Sequence, residues 1–322
     1  MMNRNILRKA ALAIILPSLT FISLELYAQS NSDIPRLANG QPDLQGVWDF
    51  RTITPFQRPV SLGDKAVLTA EEAIVFEEEE RVRRDRDNFT DTSTTGDYNE
   101  FWYDRGQEIL GDRRTSLVVS PSNGRIPELT PAATSKRQAR REAAALAYGI
   151  ETRPLAERCI MGFNSGPPMI PSAYNNNVQL VQTENSVVIH NEMVHNVRVV
   201  RMNAAEHRET PRKWEGDSIG HWDGDALIVE TKYFLRDTAF GNSSENMQLL
   251  EKFWMINTNT LGYEFTIEDD TTWTEPWTVM FPMVRNSEPM YEYACHEGNY
   301  AMAGILGGWR RLEQIAEQES GN

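Results

Sequence analysis

The chain has 322 residues, 40% hydrophobic and 24% charged, and a formal net charge of -14. That length and composition suit a globular protein of one or two domains with a sizeable core. The acidic balance argues against nucleic acid and against docking on anionic lipid, both of which need a basic surface, and favours a neutral or cationic small molecule as substrate.

Residues 1–28 read as a signal peptide. Arg4, Arg8 and Lys9 form a basic start, Ala10 to Leu24 is mostly apolar, and Leu26-Tyr27-Ala28 ends in a small residue suited to cleavage. The apolar run is short and Pro17 interrupts it, so a membrane anchor is disfavoured. No later stretch is long enough to span, so no membrane insertion is expected after cleavage. The mature protein is expected to be periplasmic or secreted. In an oxidising compartment the two cysteines, Cys159 and Cys295, are expected to pair. The competing reading, a Cys295 thiol activated by His296, is weak because adjacent residues on a strand point to opposite faces.

Residues 29–322 read as a single β-barrel domain, and 29–41 as a flexible lead. Asp43 to Phe50 is a predicted strand. Its Gly46-Val47-Trp48 resembles the G-x-W signature that opens the first strand of lipocalins and other calycin barrels. That resemblance implies a late Arg packed over the Trp, and Arg310 and Arg311 follow Trp309. Residues 64–176 are expected to form a helical, loop-rich insertion covering one end of the barrel. The clearest helix runs from Leu68 to Arg86. Thr69 and Glu72 make a capping box, and Glu77 to Glu80 precede Arg81, Arg83 and Arg84 at pairing distance along a solvated face. A second helix is predicted at about Ser135 to Ala147, with a polar turn at Asn88 to Asn99 and a short strand at Thr115 to Ser120. Cys159 to Asn177 carries Gly162, Gly166, Pro167, Pro168 and Pro171, and reads as an ordered binding loop or lid.

From Asn177 the pattern is all strand. A hairpin turns at Glu184-Asn185, another has Asp223-Gly224 at its centre as a type I′ signal, and a third turns at Asn257 to Asn259. Thr278 to Val284 and Pro289 to Ala294 complete about eight strands. No helix separates them, which excludes βαβ units. The fold class is therefore mainly β: an antiparallel up-and-down, calycin- or lipocalin-like barrel, whose closure removes exposed edges. The early L-x-G-V-W, the G-D-S-x-G-x-W-x-G-D hairpin and the late Y-E-Y-A-C-H-E-G-N-Y together resemble a functionally uncharacterised group of exported bacterial β-rich proteins. The resemblance implies export and carries no mechanism.

All five His lie between Asn175 and Glu297. His190, Glu192 and His195 stand close together. On a regular strand His195 would face away from the other two, and a bulge or turn near Met193 would let Glu192 orient His195 as a general base. His296 with Tyr293 offers a proton donor, with Tyr291 and Tyr293 expected on one face of the last strand. Tyr174, Asn175, His190 and Arg198 are candidate substrate contacts. Asp217, beside His221, reads as a turn cap. No metal is expected. The alternative is a divalent ion such as zinc on His190, Glu192, His195 and His296. Trp254, Trp273, Trp277, Phe265, Phe281, Met255, Met280 and Met283 read chiefly as core. The functional expectation is an exported enzyme doing acid–base chemistry, namely elimination, hydration, isomerisation or hydrolysis, on a small, partly apolar molecule in the barrel cavity. The alternatives are a lipocalin-like carrier, whose cavity would be apolar, and a structural envelope protein, whose barrel would be filled with side chains.

Overall fold

Alternate burial runs through the later strands, as a period of two requires of a sheet with one face inward. In the computed structural model, which describes residues 34–88, 99–144, 149–235 and 240–320, this pattern closes into a barrel. The predicted signal peptide, the start of the lead and most of the polar turn after the first helix lie outside the described residues. The elements in chain order are β1 (Gly46–Asp49), α1 (Ala70–Arg84), β2 (Val118–Ser120), α2 (Pro131–Ala144), β3 (Asn177–Gln182), β4 (Ser186–Asn191), β5 (Val197–Met202), β6 (Asp217–Asp223), β7 (Ala226–Lys232), β8 (Gln248–Asn257), β9 (Thr260–Glu268), β10 (Trp277–Asn286) and α3 (Tyr300–Ser320).

Strands β3 to β10 pair in sequence order, and β1 closes the ring by pairing with β3 on one side and β10 on the other. The second edge of β10 is shared, with β2 against its start and β1 against its end. The expected mainly β barrel is present. It departs from a purely antiparallel up-and-down course at one seam, because β5 and β6 pair parallel over Val200 to Met202 and Ser218 to Gly220. The 203–216 connection returns the chain to the end where β5 began.

The barrel interior is packed. Leu249, Phe253, Tyr263, Phe265, Ile267, Trp277, Val279 and Phe281 are all buried in one core with Trp48, Val178 and Ile189. Tyr263 meets Phe253 at 4.9 Å and Phe281 at 5.2 Å between ring centroids, and Trp273 meets Trp277 edge-on at 5.4 Å. These offset and T-shaped contacts suit the ring quadrupoles. Met280 and Trp254 instead belong to the outer face, and the Trp254 indole lies over Gly262, where any Cβ would collide with it. A polar network is buried among these apolar side chains. Arg198 contacts Glu251 at 2.5 and 2.8 Å, and Glu251 also accepts a 2.8 Å bond from the Tyr263 hydroxyl. Burial alone would lower the Arg198 pKa, but Glu251 outweighs it and holds the guanidinium charged.

Trp48 is fully buried and donates from Nε1 to Leu44 O at 2.8 Å. An arginine does stack on it, at 4.2 Å, but this is Arg285 at the end of β10 and not Arg310 or Arg311. The last predicted strand is also absent. Residues 287–299 are irregular, because β1 already occupies the β10 edge that another strand would need. Helix α3 follows and carries Arg310 and Arg311.

Between β1 and β3 the chain packs onto the barrel through Phe50, Leu117, Val118 and Met169, which join its core. The predicted capping box of α1 is formed: Glu72 N–H donates to Thr69 Oγ1 at 3.2 Å, and Thr69 N–H donates to Glu72 Oε2 at 2.9 Å. Helix α2 starts earlier than expected. Thr130 Oγ1 accepts from Ala133 N–H at 3.1 Å, and Pro131 occupies the first turn, where its missing N–H costs nothing. The Asp223–Ala226 hairpin has Gly224 and Asp225 at its centre. Only Gly224 has positive φ, which fits a type II′ turn and not the expected I′.

Candidate functional site

Three segments meet at the barrel rim where β3 begins and β4 ends. The first is the tight β4–β5 turn. Asn191 N–H donates to Asn196 O at 2.8 Å, and Glu192 N–H donates to Asn177 O at 3.0 Å. Glu192 opens a short helical turn, Met193–His195, in which Val194 has φ 57° and ψ 22°. A β-branched residue in the left-handed region is strained. His195 lies there too at φ 41°, as do Cys159 and Asn175 nearby at 53° and 54°. Such strain gathers at functional sites and persists only where the surroundings enforce it.

The second segment is the Pro-Gly loop. Two buried asparagines shape it. Asn164 Nδ2 donates to the carbonyls of Tyr174 and Asn175 at 3.2 and 3.1 Å. Asn176 donates to Asp104 O at 2.9 Å and accepts from Ser172 N–H at 2.8 Å. Asp104 N–H returns a bond to Ala173 O, so the 101–104 stretch is tied to the loop. The third segment is 287–299. The Cys159–Cys295 disulfide is formed as expected and fastens this segment to the loop.

Together they wall an open cleft of about 550 Å³ lined by Trp102, Asp104, Tyr174, Asn175, Glu192 and Tyr293. Two of its lining residues, Tyr174 and Tyr293, pack on a small buried apolar group of Cys159, Met193 and Val194. The Phe163 ring meets Tyr174 edge-on at 5.5 Å.

Four of the residues singled out from sequence, Tyr174, Asn175, Glu192 and Tyr293, thus share one cleft. It lies at the outer rim and not in the barrel interior. The base pair expected of Glu192 and His195 is not formed. Glu192 Oε2 accepts from Asn177 Nδ2 at 2.8 Å, and Asn177 accepts in turn from Asn286 Nδ2 at 3.0 Å. His195 is exposed, and its Nδ1 lies 3.1 Å from Tyr293 O. A carbonyl only accepts, so Nδ1 carries the proton in that contact. His190 sits on the outer face of β4, opposite Gln179 and Val197. Partial burial, and then the neighbouring charge of His195, push its pKa down. His296 is exposed and does not line the cleft. Arg198 belongs to the core ion pair. Tyr291 and Tyr293 lie on no common strand face, since their segment is irregular.

Among the described residues no group of three or more His, Cys, Asp or Glu side chains is placed to hold a metal ion, so the alternative set of His190, Glu192, His195 and His296 does not converge. A carboxylate-oriented imidazole does occur elsewhere. His207 Nδ1 lies 3.2 Å from Asp217 Oδ2, and Nε2 lies 3.4 Å from Glu230 Oε2. Asp217 also accepts from Arg208 N–H and from Arg201. Burial alone would raise its pKa, but these donors outweigh that and hold it low. Asp217 thus fastens the 203–216 connection, as the turn-cap reading expected, while His221 is exposed on β6.

Sequence reasoning missed Trp102, Asp104, Asn164 and Asn176. Asn175-Asn176-Asn177 was the available signal, because three consecutive asparagines after a Pro-Gly loop suit left-handed backbone and side-chain-to-backbone bonding. No helix of the described residues is long and apolar enough to cross a membrane. Comparison of the chain with family models, with curated proteins and with solved structures finds no match.

Proposed function

We propose that the protein is exported to the periplasm or beyond and there binds a small, partly apolar molecule in the rim cleft. The observation that carries this reading is the cleft itself. Its volume is that of a small-molecule site, its walls are aromatic, and a few polar groups converge on it. The packed barrel core argues for the rim over the lumen. The disulfide and the signal-like N-terminus support export. A second reading, acid–base catalysis, rests on Glu192, a carboxylate in the cleft with the Tyr174 and Tyr293 phenols beside it. Glu192 would be the base and a phenol the proton donor, with His195 and His296 outside the reacting set.

Native mass spectrometry of protein released from exporting cells tests the binding reading. The wild type should carry a small-molecule adduct that a Tyr174→Ala, Tyr293→Ala double variant loses. An adduct retained by that variant would place the ligand elsewhere. Conversion of the released molecule on return to wild-type protein, absent with Glu192→Gln, would favour the enzyme.

A further inference from the structure

We infer that the cleft ligand is a cation, a small alkylammonium of the quaternary type; this rests on the rim cleft being the binding site. Trp102, Tyr174 and Tyr293 present three aromatic side chains to one cleft, and Glu192 adds a carboxylate. Aromatic faces are negative and attract an ammonium that has shed its water. A carboxylate among them supplies the counter-charge. An anionic ligand would meet the same groups as repulsion.

The charge accounting around the cleft points the same way. Among the described residues Glu192 forms no ion pair, and its side-chain partner is the neutral Asn177. Three arginines close in the chain to the site have partners of their own. Arg51 is paired with both Asp49 and Asp104, so it offers no free positive charge to the cleft and the three together still carry a net negative charge. Arg105 stacks on Tyr103 at 4.1 Å and contacts Glu100 at 3.7 Å. Arg153 pairs with Glu157 at 2.7 Å. Neither imidazole near Glu192 in the chain pairs with it. His190 sits on the outer face of β4, and His195 directs Nδ1 to the Tyr293 carbonyl. One half-buried carboxylate is therefore left facing an aromatic-walled space. The net charge of -14 adds a long-range attraction for cations.

The test uses choline and its neutral isostere 3,3-dimethylbutan-1-ol, titrated calorimetrically into the mature, disulfide-bonded protein. Choline should bind about tenfold or more tightly than the alcohol, in keeping with one desolvated cation–π and carboxylate site. Glu192→Gln keeps the acceptor for Asn177 and should bring the two affinities together by weakening choline alone. Tyr174→Leu keeps the apolar wall and should also weaken choline more than the alcohol. Equal or tighter binding of the alcohol by wild type would overturn the cation assignment and leave the cleft as a binding site. A choline preference unchanged in both variants would overturn it too. Failure of both probes, together with absence of any adduct in the native protein, would overturn the binding reading itself.

Discussion

Glu251 is completely buried, and its two oxygens are taken up by Arg198, Tyr263 and little else. The pair is separated by 53 residues, which is why Arg198 read from sequence as a substrate contact on a strand. Its neutralising partner was one acid among many. Breaking the pair should be far worse than removing it. Glu251→Gln strands a buried guanidinium and should cost about 3–5 kcal/mol, whereas Arg198→Met with Glu251→Leu should cost much less. Urea midpoints of the three proteins decide this, and a Glu251→Gln variant as stable as wild type would refute it. His195 teaches a similar lesson. Its partner is a backbone carbonyl 98 residues away, and a carbonyl has no signature in a sequence. Glu192 looked like the orienting group because it was near in the chain.

At the scale of elements, the strands, the first helix and its cap were legible because each declares itself within ten or fifteen residues. The end of the chain was not. Residues 289–294 alternate like a strand, but barrel closure leaves no edge for them to join. Helix α3 repeats Met302, Ile305, Leu306, Trp309 and Leu312 at helical spacing, a signal diluted by Gly304, Gly307 and Gly308. Loops gain their order from side chains that cap backbone. Asp269 accepts from Ser244 N–H at 2.5 Å, from Thr272 at 2.7 Å and from Thr271 at 2.6 Å. Burial alone would raise its pKa, but these donors outweigh it and hold the carboxyl below its usual value. The folded state therefore holds this proton more weakly than the unfolded chain does. The stabilisation is complete above about pH 4 and is lost as pH falls through the folded pKa. Asp269→Asn should flatten the acid limb of a stability-against-pH curve, and an unchanged limb would contradict the assignment. The disulfide closes a loop of 136 residues, which corresponds to about 4–5 kcal/mol in the chain-entropy model. Non-reducing mass spectrometry of the exported protein should show two hydrogens fewer than the reduced form. Two freely alkylated thiols would contradict the bond.

At the scale of the whole molecule, the barrel acts as a frame and its rim as the site. The sequence reading placed chemistry in the lumen because barrels of this size often hold a ligand there. Here large aromatic side chains and one ion pair fill that space, a packing outcome that composition leaves open. Tyr174, Asn175, Glu192 and Tyr293 were legible as polar or aromatic residues in unusual local settings. Their convergence on one side of the rim depends on the disulfide and on two buried asparagines that no spacing rule singles out. The most direct test is a crystal structure of the mature protein with the small molecule it retains from exporting cells. The account predicts ligand density between Tyr174, Tyr293 and Glu192, with the core around Phe253, Tyr263 and Phe265 unmoved. Density inside the barrel, with those rings displaced and the rim cleft holding only solvent, would contradict it.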